Sequence, residues 1–127
     1  NVDISRVALG GFSAGAMISL SAAFVERAPV RAVVSLSGRT TDRTRDTCIT
    51  GAADEAAILM FVGDRDLPVI ADAAPAMEAH LARVGARHRI VRLSDATHFY
   101  PKTKATPDGS DVETTIAQFL RDALRQG

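Results

Sequence analysis

The chain alternates short, unbroken apolar runs with longer segments in which apolar residues recur at helical spacing. Four apolar runs rich in β-branched residues predict strands, at residues 7–11, 31–38, 56–63 and 87–94. Unbroken Val, Ile and Leu runs are typical of parallel strands, because helices cover both faces of such a sheet. The alternation of strands with helices therefore predicts an α/β fold with a parallel sheet of about four strands.

Three amphipathic segments predict the helices, at residues 14–27, at residues 70–84 and after residue 110. The second segment is followed by Gly85, which is typical of a helix C-terminus. Ser110 and Glu113 have the S-x-x-E spacing of a capping box, which predicts the start of the last helix. The polar segment at 39–54 has no clear period and predicts a loop or a short lid.

Composition excludes several function classes. With 15 basic and 15 acidic residues among 127, the formal net charge is zero, so we expect no nucleic-acid or acidic-membrane partner. No apolar run approaches the roughly 18 to 20 residues that span a bilayer. Cys48 is the single cysteine, which excludes an intrachain disulfide and favours a reducing compartment such as the cytoplasm. Thirteen arginines against two lysines suggest a bacterial source.

The carboxyl ends of parallel strands are where functional groups collect. After the first strand comes Gly11-Phe12-Ser13-Ala14-Gly15, a G-x-S-x-G pattern directly before a helix. Such a turn exposes a serine hydroxyl above the sheet and directs the helix N-terminus toward an anion formed there. We interpret Ser13 as a nucleophile; the alternative is a turn of small residues with a purely structural role.

Two carboxylates compete after the third strand, Asp64 and Asp66. Either could accept the N–H of a catalytic histidine and stabilise the imidazolium that forms. The alternative for each is helix capping or an ion pair with Arg65. The position of Asp66 after a strand and ahead of a histidine favours it as the acid, with Asp64 as a structural loop residue.

The histidine that completes a Ser, Asp, His order is His98, in the loop after the fourth strand. A lone loop histidine is commonly just solvated, so its place in that order is what favours a catalytic role. His80 falls within a predicted helix, and His88 starts the fourth strand at the opposite end of the sheet. These placements favour His98 as the base.

With these residues in view, the chain resembles the C-terminal half of an α/β-hydrolase. It is most similar to small esterases of the dienelactone hydrolase, carboxylesterase and polyhydroxyalkanoate-depolymerase type, over nearly its whole length. The resembling stretches are the elbow "VDISRVALGGFSAGAMISL", the acid turn "FVGDRDLPV" and the histidine loop "DATHFY". The order Leu67-Pro68-Val69 departs from the family's acid turn, so Asp64 stays open as the acid.

The resemblance also implies what lies outside the chain. The family's strands before the elbow are missing, so we expect residues 1–127 to form one partial domain of a longer protein. Ala14 would supply one N–H of the oxyanion hole, and the other donor would come from the missing half. The free edge of the first strand would pair with that missing half or with a second copy of the chain.

We therefore predict a serine hydrolase that cleaves a small-molecule carboxylic ester through an acyl-enzyme, without a cofactor or a metal. The residues that could bind the substrate are Phe12, Met17, Phe99 and Tyr100. Packing of the core and of the histidine loop is the alternative role for these side chains. Two other functions stay open: a non-catalytic binding or oligomerisation module, and acyl transfer to an acceptor other than water.

Overall fold

The computed structural model of the chain describes residues 6–25, 29–39, 56–83 and 85–125. The strands are β1 (Ala8–Phe12), β2 (Ala32–Leu36), β3 (Ala57–Gly63) and β4 (Arg87–Leu93). The helices are α1 (Ala14–Phe24), α2 (Pro68–Ala71), α3 (Ala74–Arg83) and α4 (Val112–Arg125). The four strands form one parallel sheet in the order β1-β2-β3-β4, which confirms the predicted α/β fold.

Strand β3 explains why the apolar runs are unbroken. Its residues alternate between two hydrophobic clusters, as the period of two along a strand requires. Ile58, Met60 and Val62 belong to a cluster that contains residues of α1 and α3. Leu59 and Phe61 belong to a second cluster, on which α4 packs. Helices therefore lie on both faces of the sheet, and every residue of β3 is buried.

The helical segment predicted at 70–84 is two helices, which corrects that prediction. Helix α2 ends at Ala71, and α3 begins at Ala74. Pro75 is the second residue of α3, where its missing N–H costs no hydrogen bond. In a helix that continued from α2, the Pro75 ring would clash with the carbonyl of the preceding turn. Gly85 follows α3 with a φ of 77°, in the left-handed conformation expected of a glycine beyond a helix C-terminus.

Helix α4 is capped one residue later than predicted. Asp111, not Ser110, precedes the helix, and its Oδ1 accepts the N–H of Thr114 at 2.7 Å. This bond holds the pKa of the Asp111 carboxyl below its ordinary value. Glu113 does not close a capping box; it lies 3.6 Å from the Lys102 ammonium. The predicted start was wrong because Asp111 offers a better-placed acceptor to the first turn.

Strand β1 lies at one side of the sheet and, within the described ranges, pairs only with β2. Its residues are half-buried or exposed, unlike those of β3. Beside it runs an apolar cleft lined by the strand itself, by β2 and by α4, through Leu9, Val34, Leu36, Ile116 and Leu120.

The loop or lid predicted at 39–54, with Cys48, lies outside the described residues except for Arg39. None of the helices in the described part of the chain is long and apolar enough to cross a membrane.

Candidate active site

Ser13 occupies the single residue between β1 and α1. Its φ of 56° is rare for a residue other than glycine, and such strain clusters at functional sites. Its N–H donates to the Leu36 carbonyl at 2.8 Å, which ties the turn to β2. Gly11 is required here because an added Cβ would lie 2.3 Å from the Gly15 carbonyl carbon. Gly15 itself has open space for a Cβ, so of the two glycines that flank Ser13 close packing requires only Gly11.

Asp66 lies in the turn that follows β3, with its side chain fully buried. The Asp66 N–H donates to the Gly63 carbonyl at 3.1 Å, which closes the turn. Oδ1 accepts the Leu67 N–H at 2.6 Å and lies 2.8 Å from His98 Nδ1. Oδ2 has no hydrogen-bond partner among the residues that the structure describes. One carboxylate oxygen is thus committed to the histidine.

His98 lies between the other two residues. Its Nδ1 lies 2.8 Å from Asp66 Oδ1 and its Nε2 lies 2.9 Å from Ser13 Oγ. Because an ionised carboxylate can only accept, Nδ1 carries the proton and Nε2 is left as an acceptor for the Ser13 hydroxyl. The structure therefore brings the three predicted residues into one hydrogen-bonded relay, although 85 positions separate Ser13 from His98.

Gly63, the last residue of β3, allows the histidine loop to approach the acid turn. A Cβ added there would lie 2.3 Å from the Ala96 carbonyl oxygen and 2.7 Å from that of Thr97. The Arg65 N–H donates to the same Ala96 carbonyl at 2.9 Å. The sequence showed only a glycine at a strand end, which did not reveal this contact between two loops.

The competing candidates lie away from the relay. The Asp64 side chain is exposed, while its backbone N–H donates to Leu93. His80 is buried in α3 with its Nδ1 3.0 Å from Arg83. His88 Nδ1 lies 2.8 Å from the Ala86 carbonyl. Asp66 is the carboxylate that the fold brings to His98.

Two aromatic rings lie beside the His98 imidazole. The ring centroids of Phe12 and Phe99 lie 5.1 Å and 5.2 Å from that of His98, and Phe99 is 75% exposed. Met17 is half-buried in α1. Tyr100 packs against the second hydrophobic cluster, the one that contains Leu59 and Phe61. Two of the four predicted substrate-binding side chains therefore lie directly beside the relay.

Ala14, the first residue of α1, follows Ser13 directly. The first N–H groups of a helix have no intrahelical acceptor and carry a partial positive charge. The Ala14 N–H therefore has the position expected of an anion donor. In the described part of the chain, no group of three or more His, Cys, Asp or Glu side chains could hold a metal ion.

Sequence reasoning missed Ser37, the first residue after β2. It is fully buried, its φ is 55°, and its Oγ lies 2.9 Å from the His98 carbonyl oxygen and 3.2 Å from the Tyr100 hydroxyl. Burial, together with the charge of Asp66, raises the pKa of Tyr100 against the opposing effect of the Ser37 hydrogen bonds. A buried Ser-Gly pair after an apolar run was the one signal in the sequence.

Comparisons with known proteins agree with this architecture. A family model described as phospholipase/carboxylesterase matches residues 1–106. The structure resembles esterase PE8 with a TM-score of 0.71 and 23% identity, covering 97% of this chain and 53% of that one. It resembles a dienelactone hydrolase-like promiscuous phosphotriesterase from metagenomic libraries with a TM-score of 0.72 and 20% identity, covering 96% and 54%. For Zea mays acyl-protein thioesterase 2 the TM-score is 0.67 and the identity 16%, covering 94% and 56%.

The chain thus spans about half the length of these solved structures. No curated protein matches the sequence.

Proposed function

Because the chain belongs to the phospholipase/carboxylesterase family of α/β-hydrolases, we propose that it hydrolyses carboxylic esters through Ser13, His98 and Asp66. The observation that carries this proposal is the relay itself, in which two hydrogen bonds of 2.9 Å and 2.8 Å join hydroxyl, imidazole and carboxylate. A serine is a weak nucleophile alone and is activated by a base that a third group orients.

In the acylation step, His98 Nε2 takes the Ser13 proton as Oγ attacks the carbonyl carbon of the ester. The buried Asp66 carboxylate stabilises the imidazolium, and the Ala14 N–H donates to the oxyanion. Collapse of the tetrahedral intermediate breaks the C–O bond of the ester. His98 returns the proton to the departing alkoxide, so an alcohol leaves and Ser13 is acylated.

Deacylation repeats the same transfers with water. His98 takes a proton from a water molecule as the water oxygen attacks the acyl carbon. The second tetrahedral intermediate expels Ser13 Oγ, which recovers the proton from His98. The carboxylic acid leaves, and the relay returns to its starting protonation state.

The exposed rings of Phe12 and Phe99 support an apolar substrate. Both side chains are exposed, and exposed apolar side chains next to a reactive group favour a binding surface. We propose that the two rings contact the acyl chain, with Met17 and Tyr100 deeper and more buried. Replacing Phe99 by Ala is then expected to raise KM for long-chain esters more than for acetate esters.

The test of the proposed function is covalent labelling of the folded protein with a fluorophosphonate probe, followed by mass mapping of the adduct. We expect one adduct, at Ser13, that disappears in Ser13→Ala. Ser94, an exposed serine after β4, provides the matched control, since Ser94→Ala is expected to label normally. A folded wild-type protein that gives no adduct at Ser13 would contradict the proposal.

A second candidate function is a non-catalytic module that pairs through β1 with a second copy of the chain. The half-exposed strand and its apolar cleft favour it, because an unpaired edge is a template for another strand. Sedimentation analysis separates the two: a dimer that labels at no serine supports the module, whereas a monomer contradicts it.

A further inference from the structure

The carboxyl end of β2 contacts both reacting residues of the proposed site. The Leu36 carbonyl accepts the Ser13 N–H at 2.8 Å. The next residue, Ser37, places its hydroxyl 2.9 Å from the backbone carbonyl oxygen of His98. Two consecutive residues, Leu36 and Ser37, therefore contact the turn of Ser13 and the histidine loop respectively.

The direction of the hydrogen bond between Ser37 and His98 follows from the groups involved. A carbonyl oxygen has no proton, so the Ser37 hydroxyl donates to His98. Ser37 Oγ also lies 3.2 Å from the Tyr100 hydroxyl. Tyr100, Ser37 and the His98 backbone therefore form one hydrogen-bonded cluster.

The conformation of Ser37 is costly, and the cost points to a role. Its φ of 55° lies in the left-handed region that glycine adopts without strain, yet a serine stands there. Its N–H also donates to the Phe61 carbonyl at 3.0 Å, which fixes the residue between β2 and β3. A glycine would satisfy that backbone bond at lower cost but would leave the His98 carbonyl without its hydroxyl donor.

We propose that Ser37 is a positioning residue, whose hydroxyl holds the His98 backbone so that Nε2 stays directed at Ser13. The inference rests on the proposed function, since it concerns the same relay. Ser37 does not touch the reacting atoms; it acts through the histidine loop. Ser35, equally buried on the same strand, has no side-chain partner among the described residues and therefore provides a matched control.

The experiment compares Ser37→Ala, Ser37→Gly and Ser35→Ala in hydrolysis of p-nitrophenyl butyrate, in thermal unfolding and in proton NMR. Both Ser37 variants are expected to lower kcat on the order of tenfold with KM unchanged, because the base is misdirected while the binding surface stays intact. Ser37→Gly is expected to unfold at a higher temperature than Ser37→Ala, since it relieves the left-handed strain. Ser35→Ala is expected to keep wild-type kcat.

The glycine variant separates positioning from stability. If Ser37 merely stabilises the fold, Ser37→Gly recovers kcat along with its melting temperature, and the inference is wrong. If the hydroxyl positions His98, kcat stays low in the more stable variant. Tyr100→Phe is expected to give a smaller loss, which does not add to that of Ser37→Ala, because the Tyr100 hydroxyl contacts the Ser37 hydroxyl and acts through it.

A spectroscopic readout makes the inference independent of ester hydrolysis. The His98 Nδ1 proton, held against Asp66, is expected at low field in wild type and in Ser35→Ala. We expect it to shift or broaden in both Ser37 variants; an unchanged resonance would overturn the inference. If the Ser37 substitutions shift this proton resonance but the wild-type protein has no esterase activity, the result supports the positioning role and contradicts the proposed function.

Discussion

Strands β1 and β3 belong to the same parallel sheet and each leads into a turn that carries a residue of the relay, yet their surroundings differ. β3 pairs with a neighbour on each side and is buried throughout. β1 pairs with β2 alone in the described part of the chain, and its residues are half-buried or exposed. The turn of Asp66 thus follows a buried interior strand of the sheet, whereas the turn of Ser13 follows a partly exposed strand at one side of it.

The turns repeat this difference. Backbone bonds from Asp64 and Arg65 join the acid turn to Leu93 and Ala96, within 3.0 Å each. The turn of Ser13 is joined to the neighbouring strand by the Ser13 N–H, which donates to the Leu36 carbonyl. Asp66 and His98 are therefore held by several contacts within the described chain, whereas the turn of Ser13 depends on one neighbouring strand. Three predictions test or sharpen this contrast, and a fourth concerns the start of α4.

The largest expected effect is on catalysis. Asp66→Asn is expected to lower kcat for p-nitrophenyl butyrate by about 10⁴, because the amide favours the wrong histidine tautomer. Asp64→Asn, at an exposed position of the same turn, is expected to leave kcat within about twofold of wild type. An inactive Asp64→Asn beside an active Asp66→Asn would reverse the assignment of the acid.

Truncation of one leucine in each strand measures the difference in burial. Leu59→Ala in β3 is expected to lower the free energy of unfolding by about 3 kcal/mol, because it opens a cavity in the core. Leu9→Ala in β1 is expected to cost about 1 kcal/mol, since that side chain is already half-exposed. Urea unfolding supplies both values. Equal losses would show that another surface covers β1 in solution.

Addition of a single methyl group tests the loop contacts. Gly63→Ala is expected to cost about 2 kcal/mol and to lower kcat, because the added carbon meets the carbonyls of Ala96 and Thr97. Gly10→Ala in β1 is the control: its Cβ would have ordinary contacts with Val34 at 3.5 Å and beyond. We expect that variant to change stability by less than about 0.5 kcal/mol. Tolerance of Gly63→Ala would contradict the close approach of the two loops.

The smallest effect concerns acid stability at α4. The folded-state pKa of Asp111 lies below its ordinary value of 3.8, so its contribution is present above that pH and is lost as the pH falls through the lowered pKa. Asp111→Asn keeps a capping acceptor and is expected to flatten the fall in melting temperature from pH 4 to about pH 2. Identical pH curves for the two proteins would contradict this role.

Much of the fold was predictable because it depends on local signals. The apolar runs gave the strands to within a residue or two, and the G-x-S-x-G pattern located the turn between β1 and α1. The order of Ser13, Asp66 and His98 was sufficient to select three residues that the fold brings together. Each of these inferences uses a short stretch of sequence and one general rule about parallel sheets.

Most of what was not predictable depends on contacts between distant segments, and one feature depends on a helix boundary. Ser37 contacts the histidine loop across 61 positions of sequence. No sequence pattern indicates that this serine adopts a left-handed backbone conformation. The role of Gly63 depends on how closely another loop approaches. The choice between Ser110 and Asp111 as the cap depended on where the first helical turn begins, which sequence patterns locate only to within a few residues.

The strand order has a consequence for how the molecule assembles. Every strand lies beside the one that precedes it in the chain, so the sheet can grow in sequence order by closing one crossover at a time. The bond between Ser13 and His98 spans 85 positions and forms only once the last strand is in place. Opening of the β4 end alone would therefore disconnect the relay while β1, β2 and β3 stay paired. An intact relay reports that the whole sheet has folded.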